Sequence, residues 1–117
     1  MNQSETTPAE RINCFEDFWP FYVREHSHSL NRVLHFVGSN LGLICLMVAL
    51  ILKSLWLAML SLVVGYAFAW FGHFFIEHNK PATFKYPLWS FRADWKMWWL
   101  MLKGQMPPEI RRVSGRV

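Results

Sequence analysis

The stretch VLHFVGSNLGLICLMVALILKSLWLAMLSLVVGYAFAWFGHFFI, residues 33–76, decides the fold. Two apolar runs, Val37–Leu52 and Leu55–Ile76, are separated only by Lys53-Ser54. Extended back to Val33, the first run covers about 20 residues and the second about 22, each enough for a hydrocarbon core ~30 Å thick. A soluble two-helix core is the competing reading. A chain of 117 residues has little room to bury two such uniformly apolar helices. The pattern predicts an all-α protein, an integral membrane helical hairpin of two transmembrane helices with flanking interfacial amphipathic helices. The spans fall at about 33–52 and 55–76.

The flanks are read outward from the hairpin. Upstream, Phe15, Phe18, Trp19 and Tyr22 give an aromatic face at helical spacing, and Pro20 marks a kink or a helix start. This predicts an interfacial helix over about 12–26. Ser27-His28-Ser29 is a break, with Ser27 or Ser29 as the N-cap of the first span. Downstream, Asn79-Lys80-Pro81 ends the second helix, because the residue before proline avoids the α region. Phe91, Trp95, Trp98 and Leu102 then predict a second interfacial helix over about 88–103, stopped at Gly104. Residues 12–104 read as one membrane domain, 1–11 as a flexible polar tail and 105–117 as a basic tail opened by Pro107-Pro108.

Charge sets the orientation. Of 12 Lys and Arg, only Lys53 lies between the runs, so the positive-inside bias puts both termini in the cytoplasm. The membrane is then a bacterial inner membrane, or the endoplasmic reticulum in a eukaryote. Met1–Glu10 is polar and acidic and does not read as a signal peptide. The net charge of +4 fits that topology and anionic lipid better than nucleic acid, which is not expected as a partner. Cys14 and Cys45 fall in no metal-like spacing and are not expected to pair.

Function is carried by histidine. His35 and His73 lie about 18 and 19 residues on either side of the turn, so both imidazoles project roughly 28 Å from it, at one level of one bilayer face. Ionisable side chains at that depth are costly and mark functional sites. On the first span Asn31, His35, Gly38 and Gly42 share a face; on the second, Gly65, Ala69, His73 and Glu77 form an i, i+4 ridge. Small-residue faces are where membrane helices approach, so the two histidines are expected to face one another. His26 stands in or beside the break and can fold over the same mouth.

Two or three imidazoles with a carboxylate and no thiolate suit non-haem Fe(II), or alternatively Zn(II). The candidate ligands are His26, His35 and His73, with His78 a weaker fourth. Glu77 and Asn31 are the candidate catalytic residues, Asn31 holding an imidazole in one tautomer. His28 reads as solvated, Gly38 and Gly42 equally as packing residues, and the tryptophans as a membrane anchor.

The run His26-Ser-His-Ser-Leu-Asn31-Arg-Val-Leu-His35-Phe-Val-Gly38 resembles the first motif of the 2-hydroxy fatty acid dioxygenase family of phytosphingosine degradation. Gly72-His73-Phe-Phe-Ile-Glu77 followed by Pro81-Ala82 is similar to its second motif. The resemblance covers roughly residues 18–89 and is to the compact bacterial branch, since fungal members carry additional membrane segments. It implies an integral membrane, Fe(II)-dependent dioxygenase that α-oxidises 2-hydroxy fatty acids to fatty acids one carbon shorter. His26, His35 and His73 match the histidines thought to hold the iron. The implied partners are a 2-hydroxy fatty acid or similar amphiphile, O2 and the lipid bilayer, and a homo-oligomer is compatible. Arg32, Lys80 or Arg92 are candidates to pair with the substrate carboxylate. A zinc-dependent membrane hydrolase and a non-enzymatic small membrane protein are the alternatives.

Overall fold

Lys53 and Ser54 make the tip of the hairpin. Lys53 takes the left-handed conformation at φ 54°, which ends the first long helix without a glycine. The Ser54 N–H donates back to the Ala49 carbonyl at 2.9 Å, and the Ser54 hydroxyl accepts the Leu57 N–H at 3.2 Å, capping the next helix. In this computed structural model, which describes residues 12–114, the order is α1 (Phe15–Arg24), α2 (Ser29–Leu52), α3 (Leu55–Phe71), α4 (Pro87–Leu102) and α5 (Met106–Ser114). A π-helical segment, Gly72–Glu77, continues α3, and a 3-10 turn, Ala82–Phe84, precedes α4. Among the described residues there is no strand. The expected tail at 1–11 lies outside them.

Two helices, Ser29–Leu52 and Leu55–Glu77, are long and apolar enough to cross a membrane. At 24 residues, α2 is about 36 Å long, and it starts four residues before the span expected from sequence. Its outer face and that of α3 stay unburied: Met47 is 62% exposed, Ile51 75%, Leu55 76% and Trp56 69%. Such a continuous apolar girdle is suited to lipid and not to water.

The two spans approach through their glycines. A Cβ on Gly38 would lie 2.6 Å from the Phe68 Cβ, and one on Gly42 would lie 3.0 Å from the Ser61 carbonyl oxygen. Backbone meets side chain and backbone there, as small-residue interfaces allow. We expect Gly38→Leu to lower stability by about 1–3 kcal/mol, read as a lower Tm in detergent. An unchanged Tm would mean that α2 and α3 do not pack through Gly38.

The two flanking helices expected from sequence are present, and the aromatic face of α1 is buried inside the protein. Phe15, Phe18, Trp19 and Tyr22 form a core with Ala93 and Met97 of α4 and with Met106 and Val113 of α5. α1 itself starts at Phe15 with Glu16 and Asp17 in its first turn and Arg24 in its last, charges that suit the helix dipole. Pro20 sits inside it without ending it. A polar tie, Trp98 Nε1 to Asn40 Oδ1 at 2.9 Å, fastens α4 over α2.

Over 106–114 the structure has α5 in place of the expected tail. Pro107 and Pro108 fall in its first turn, where a missing N–H has no intrahelical partner to lose. Glu109 accepts the Trp19 indole N–H at 2.6 Å and pairs with Arg112. That contact ties the end of the described chain to α1.

Candidate metal centre

Three imidazoles meet where the hairpin opens under this cap. His26 follows the end of α1, His35 stands in the second turn of α2, and His73 is the second residue of the π-helical segment. All three are buried, at 1%, 6% and 2% exposure. One ring nitrogen from each lies within 4.8 Å of the other two, and the rings are nearly perpendicular in pairs, with centroids 4.5 to 5.0 Å apart. The structure thus brings together the three histidines expected from sequence. His28 is exposed, as anticipated. His78 takes the left-handed conformation at φ 60° that ends the π-helical segment, and its exposed side chain stands outside the cluster.

The outer nitrogen of every ring is already committed. His26 Nδ1 pairs with the Tyr22 carbonyl at 2.7 Å, His35 Nδ1 with the Asn31 carbonyl at 3.0 Å, and His73 Nδ1 with Asn79 Oδ1 at 2.6 Å. Each partner is an oxygen that can only accept, so each Nδ1 carries the proton and each Nε2 keeps a lone pair. His26 Nε2 and His35 Nε2 lie 3.1 Å apart. Two lone pairs facing at that distance share no hydrogen. A cation between them removes the conflict, and this polar geometry fits a metal held by three Nε2 atoms. Burial, reinforced by the neighbouring imidazoles, holds His26 well below the ordinary histidine range, so it is the neutral ligand form.

Asn79 orients the third ring. Its Nδ2 donates to the Glu25 carbonyl at 3.1 Å, which turns its Oδ1 toward His73. In the sequence Asn79 reads only as part of a helix stop, Asn79-Lys80-Pro81. Losing such an outer partner costs about 10–100-fold in metal affinity, and we expect that loss from Asn79→Ala with the fold retained. A metal titration reads it; unchanged affinity would remove Asn79 from the centre.

The two candidate catalytic residues are near the triad but outside it. The Glu77 carboxylate accepts the His28 N–H at 2.7 Å, Asn31 Nδ2 at 3.3 Å and the Ser27 hydroxyl at 3.4 Å. It therefore sits at the N-terminus of α2, whose residue His28 has no side-chain cap of its own. An anion is favoured there. The expected cap from Ser27 or Ser29 is replaced by a carboxylate from the other span. The backbone explains why Glu77 left the ridge of Gly65, Ala69 and His73. After Phe71 the i→i+5 pattern of the π-helical segment turns Glu77 off the His73 face.

Asn31 is fully buried, and its backbone carbonyl, not its amide, fixes the His35 tautomer. Its Oδ1 has no hydrogen-bond partner and packs on Gly72, where any Cβ would collide with it.

Two further residues border the triad that the sequence reading did not pick out. Tyr22 stacks on His26 at 4.0 Å between centroids, and its hydroxyl donates to Asp94. Asp94 lines, with all three histidines, a small chamber of about 10 Å3. Burial pushes the Asp94 carboxyl up to about 7, against the lowering effect of the Tyr22 bond, and burial also raises the Tyr22 phenol.

The folded protein therefore keeps that carboxyl protonated up to about pH 7, while the unfolded chain releases its proton near pH ~4. Between those values the folded state binds more protons, so this group makes stability fall as pH rises. Asp94→Asn should remove that slope, so its Tm advantage over the parent should be larger at pH 8 than at pH 5. Equal differences at both pH values would mean the carboxyl is not desolvated.

The candidate carboxylate partners are dispersed. Arg32 Nη1 donates to the His26 carbonyl at 2.7 Å, the Arg92 guanidinium lies 4.0 Å over the Phe15 ring, and Lys80 is exposed.

A family model described as Mpo1-like, 2-hydroxy-palmitic acid dioxygenase Mpo1-like, matches residues 12–106. No curated protein and no solved structure matches the chain.

Proposed function

This chain belongs to the Mpo1-like family, and from that premise we propose that it is a membrane-bound, non-haem Fe(II) dioxygenase acting on 2-hydroxy fatty acids. The observation that carries the reading is the set of three buried imidazoles whose Nδ1 protons all point outward and whose Nε2 lone pairs converge. His26, His35 and His73 would hold the metal. When bound, iron supplies the redox chemistry for O2 and a Lewis-acid seat for the carboxylate and hydroxyl of the substrate. The overall balance is a 2-hydroxy acid and O2 giving a fatty acid one carbon shorter, CO2 and water.

The protein's own contribution is placement. Tyr22, Asn31 and Asn79 lock the three rings in the tautomer that presents Nε2 inward. Tyr22 of α1 and Ser90 and Asp94 of α4 cover the triad, and the chamber between them has room for about one water. At its edge Asp94 is positioned to meet a substrate hydroxyl or to hold a proton beside it. The site at one end of the spans suits an amphiphile, whose head must reach the metal while its tail stays in hydrocarbon.

The membrane assignment rests on the exposed apolar girdle, and the orientation on charge alone. With both termini cytoplasmic, a reporter fused after Val117 is active on the cytoplasmic side and one inserted at Ser54 is not. The reverse pattern would move the site to the other face.

A donor set of three histidines without a carboxylate also serves catalytic zinc, so a zinc-dependent hydrolase is the second reading. Purified protein loaded anaerobically with iron should consume O2 and shorten a 2-hydroxy acid. Activity with zinc, or none with either metal, would overturn the dioxygenase reading.

A further inference from the structure

The cap does not seal the hairpin along its whole length. Beside the triad, a cleft of about 140 Å3 runs between α2, α3 and the flank of α4. On α2 it extends from His35 to Leu46, eleven residues and therefore roughly 16 Å along the helix. Its chemistry is graded. At the His35 end stand Ser39, Tyr66 and Asp94; at the far end the walls are Leu43, Leu46 and the half-exposed Leu62, which borders the open side. Ser61 also borders the deep part, but its hydroxyl is turned back on the Ala58 carbonyl at 2.6 Å. The deep end therefore presents hydrocarbon.

Four residues join this cleft to the triad: His35, Tyr66, Ala69 and Asp94 line both the cleft and the small inner chamber. A cavity that is polar at one end, apolar over the rest and open between two spans is shaped for a single-chain amphiphile lying along the helices. A phospholipid does not fit that description. The inner chamber of about 10 Å3 has room for about one small group, so a compact head can reach the triad from the cleft but a phosphodiester cannot.

We propose that this cleft is the seat of the substrate's acyl chain, with the 2-hydroxy acid head at the triad beside Asp94 and the tail running between α2 and α3 toward Leu46. The inference rests on the dioxygenase reading and adds where chain length is measured. A tail that ends before Leu46 leaves the deep cleft unfilled, and a longer one must leave the walls for lipid. Leu46 and Leu62 are then specificity-determining residues.

The test uses the full chain in phospholipid nanodiscs and a 2-hydroxy fatty acid carrying a diazirine at its terminal carbon. Phospholipid is already in excess there, so any label in the cleft shows that the acid displaces it. Photolysis and peptide mapping should place the label on Leu43, Leu46 and Leu62, and excess unlabelled 2-hydroxy acid should protect them. A diazirine near the head should shift the label to Tyr66 and Trp95.

Leu46→Trp should remove the terminal label and shift relative kcat/KM toward shorter acids by about tenfold or more. Leu62→Phe, a milder filling from the opposite wall, should move it the same way. Leu50→Trp, on the exposed face, should change neither. Terminal label spread over the outward residues Leu50, Ile51 and Trp56, or equal chain-length effects at Leu46 and Leu50, would overturn the proposal. Cross-linking needs no turnover. Cleft labelling without O2 uptake would uphold the acyl site and overturn the reaction, whereas turnover with scattered label would do the reverse.

Discussion

Alanine at His26, His35 or His73 is expected to abolish bound iron and turnover, each change alone being sufficient. The three rings come from three different elements and share one point, with donor atoms within 4.8 Å. Removing any one leaves two imidazoles, and two cannot define a site open on one side only. The loss should exceed the roughly 10–100-fold expected when an outer partner such as Asn79 is removed. Metal content by elemental analysis and O2 uptake read the effect, with helicity checked by circular dichroism.

His28→Ala and His78→Ala serve as comparisons. Both side chains are exposed and outside the cluster, so iron content should be unchanged. Full iron in any of the three buried variants would make that ring a packing residue. Iron lost equally from the His28 and His78 variants would mean the sensitivity reports folding and not ligation.

The hairpin and the triad were legible because each rests on a simple repeat. Lys53-Ser54 is the only interruption in an apolar stretch long enough to cross twice, and the matched distance of His35 and His73 from that turn needs only the rise of a helix. The same regularity misled at Glu77. An i, i+4 ridge assumes an unbroken α-helix, and one π-helical segment from Gly72 was enough to move the carboxylate from the His73 face to the start of α2. Asn79 was hidden by the same segment and by the left-handed turn at His78, which bring back against His73 a residue six positions later.

What α1 packs against was not legible for another reason. An aromatic stripe on α1 looks identical whether it meets lipid or a partner helix. The partners here are α4 and α5, and α5 offers Met106, Ile110 and Val113 around two prolines. Amphipathicity reveals a buried face but not what buries it.

Glu77→Ala is expected to lower iron retention and Tm together, acting on the metal without Glu77 ligating it. Its carboxylate gathers the His28 N–H, Asn31 Nδ2 and the Ser27 hydroxyl, so it fastens the end of the second span to the segment that carries His26. Hydrogen bonds to a charged group are worth about 1.5–3 kcal/mol each when well made, and less where solvent reaches them. This group is partly exposed, so the lower part of that range applies.

Without the carboxylate the first turn of α2 loses its anion, Asn31 loses its only side-chain hydrogen bond, and the 26–28 segment is free to move. His26 then leaves the other two rings, and iron retention should fall about tenfold or more together with Tm, in line with losing an outer partner. Glu77→Gln distinguishes this role from direct ligation. Its amide oxygen can still accept the His28 N–H, so part of both the Tm and the iron should return. A ligand would behave differently: iron would be lost from the Gln variant as fully as from the Ala variant, while the metal-free protein kept its Tm. That outcome would put Glu77 in the coordination shell and reduce its contacts at the start of α2 to a by-product of the metal-free arrangement.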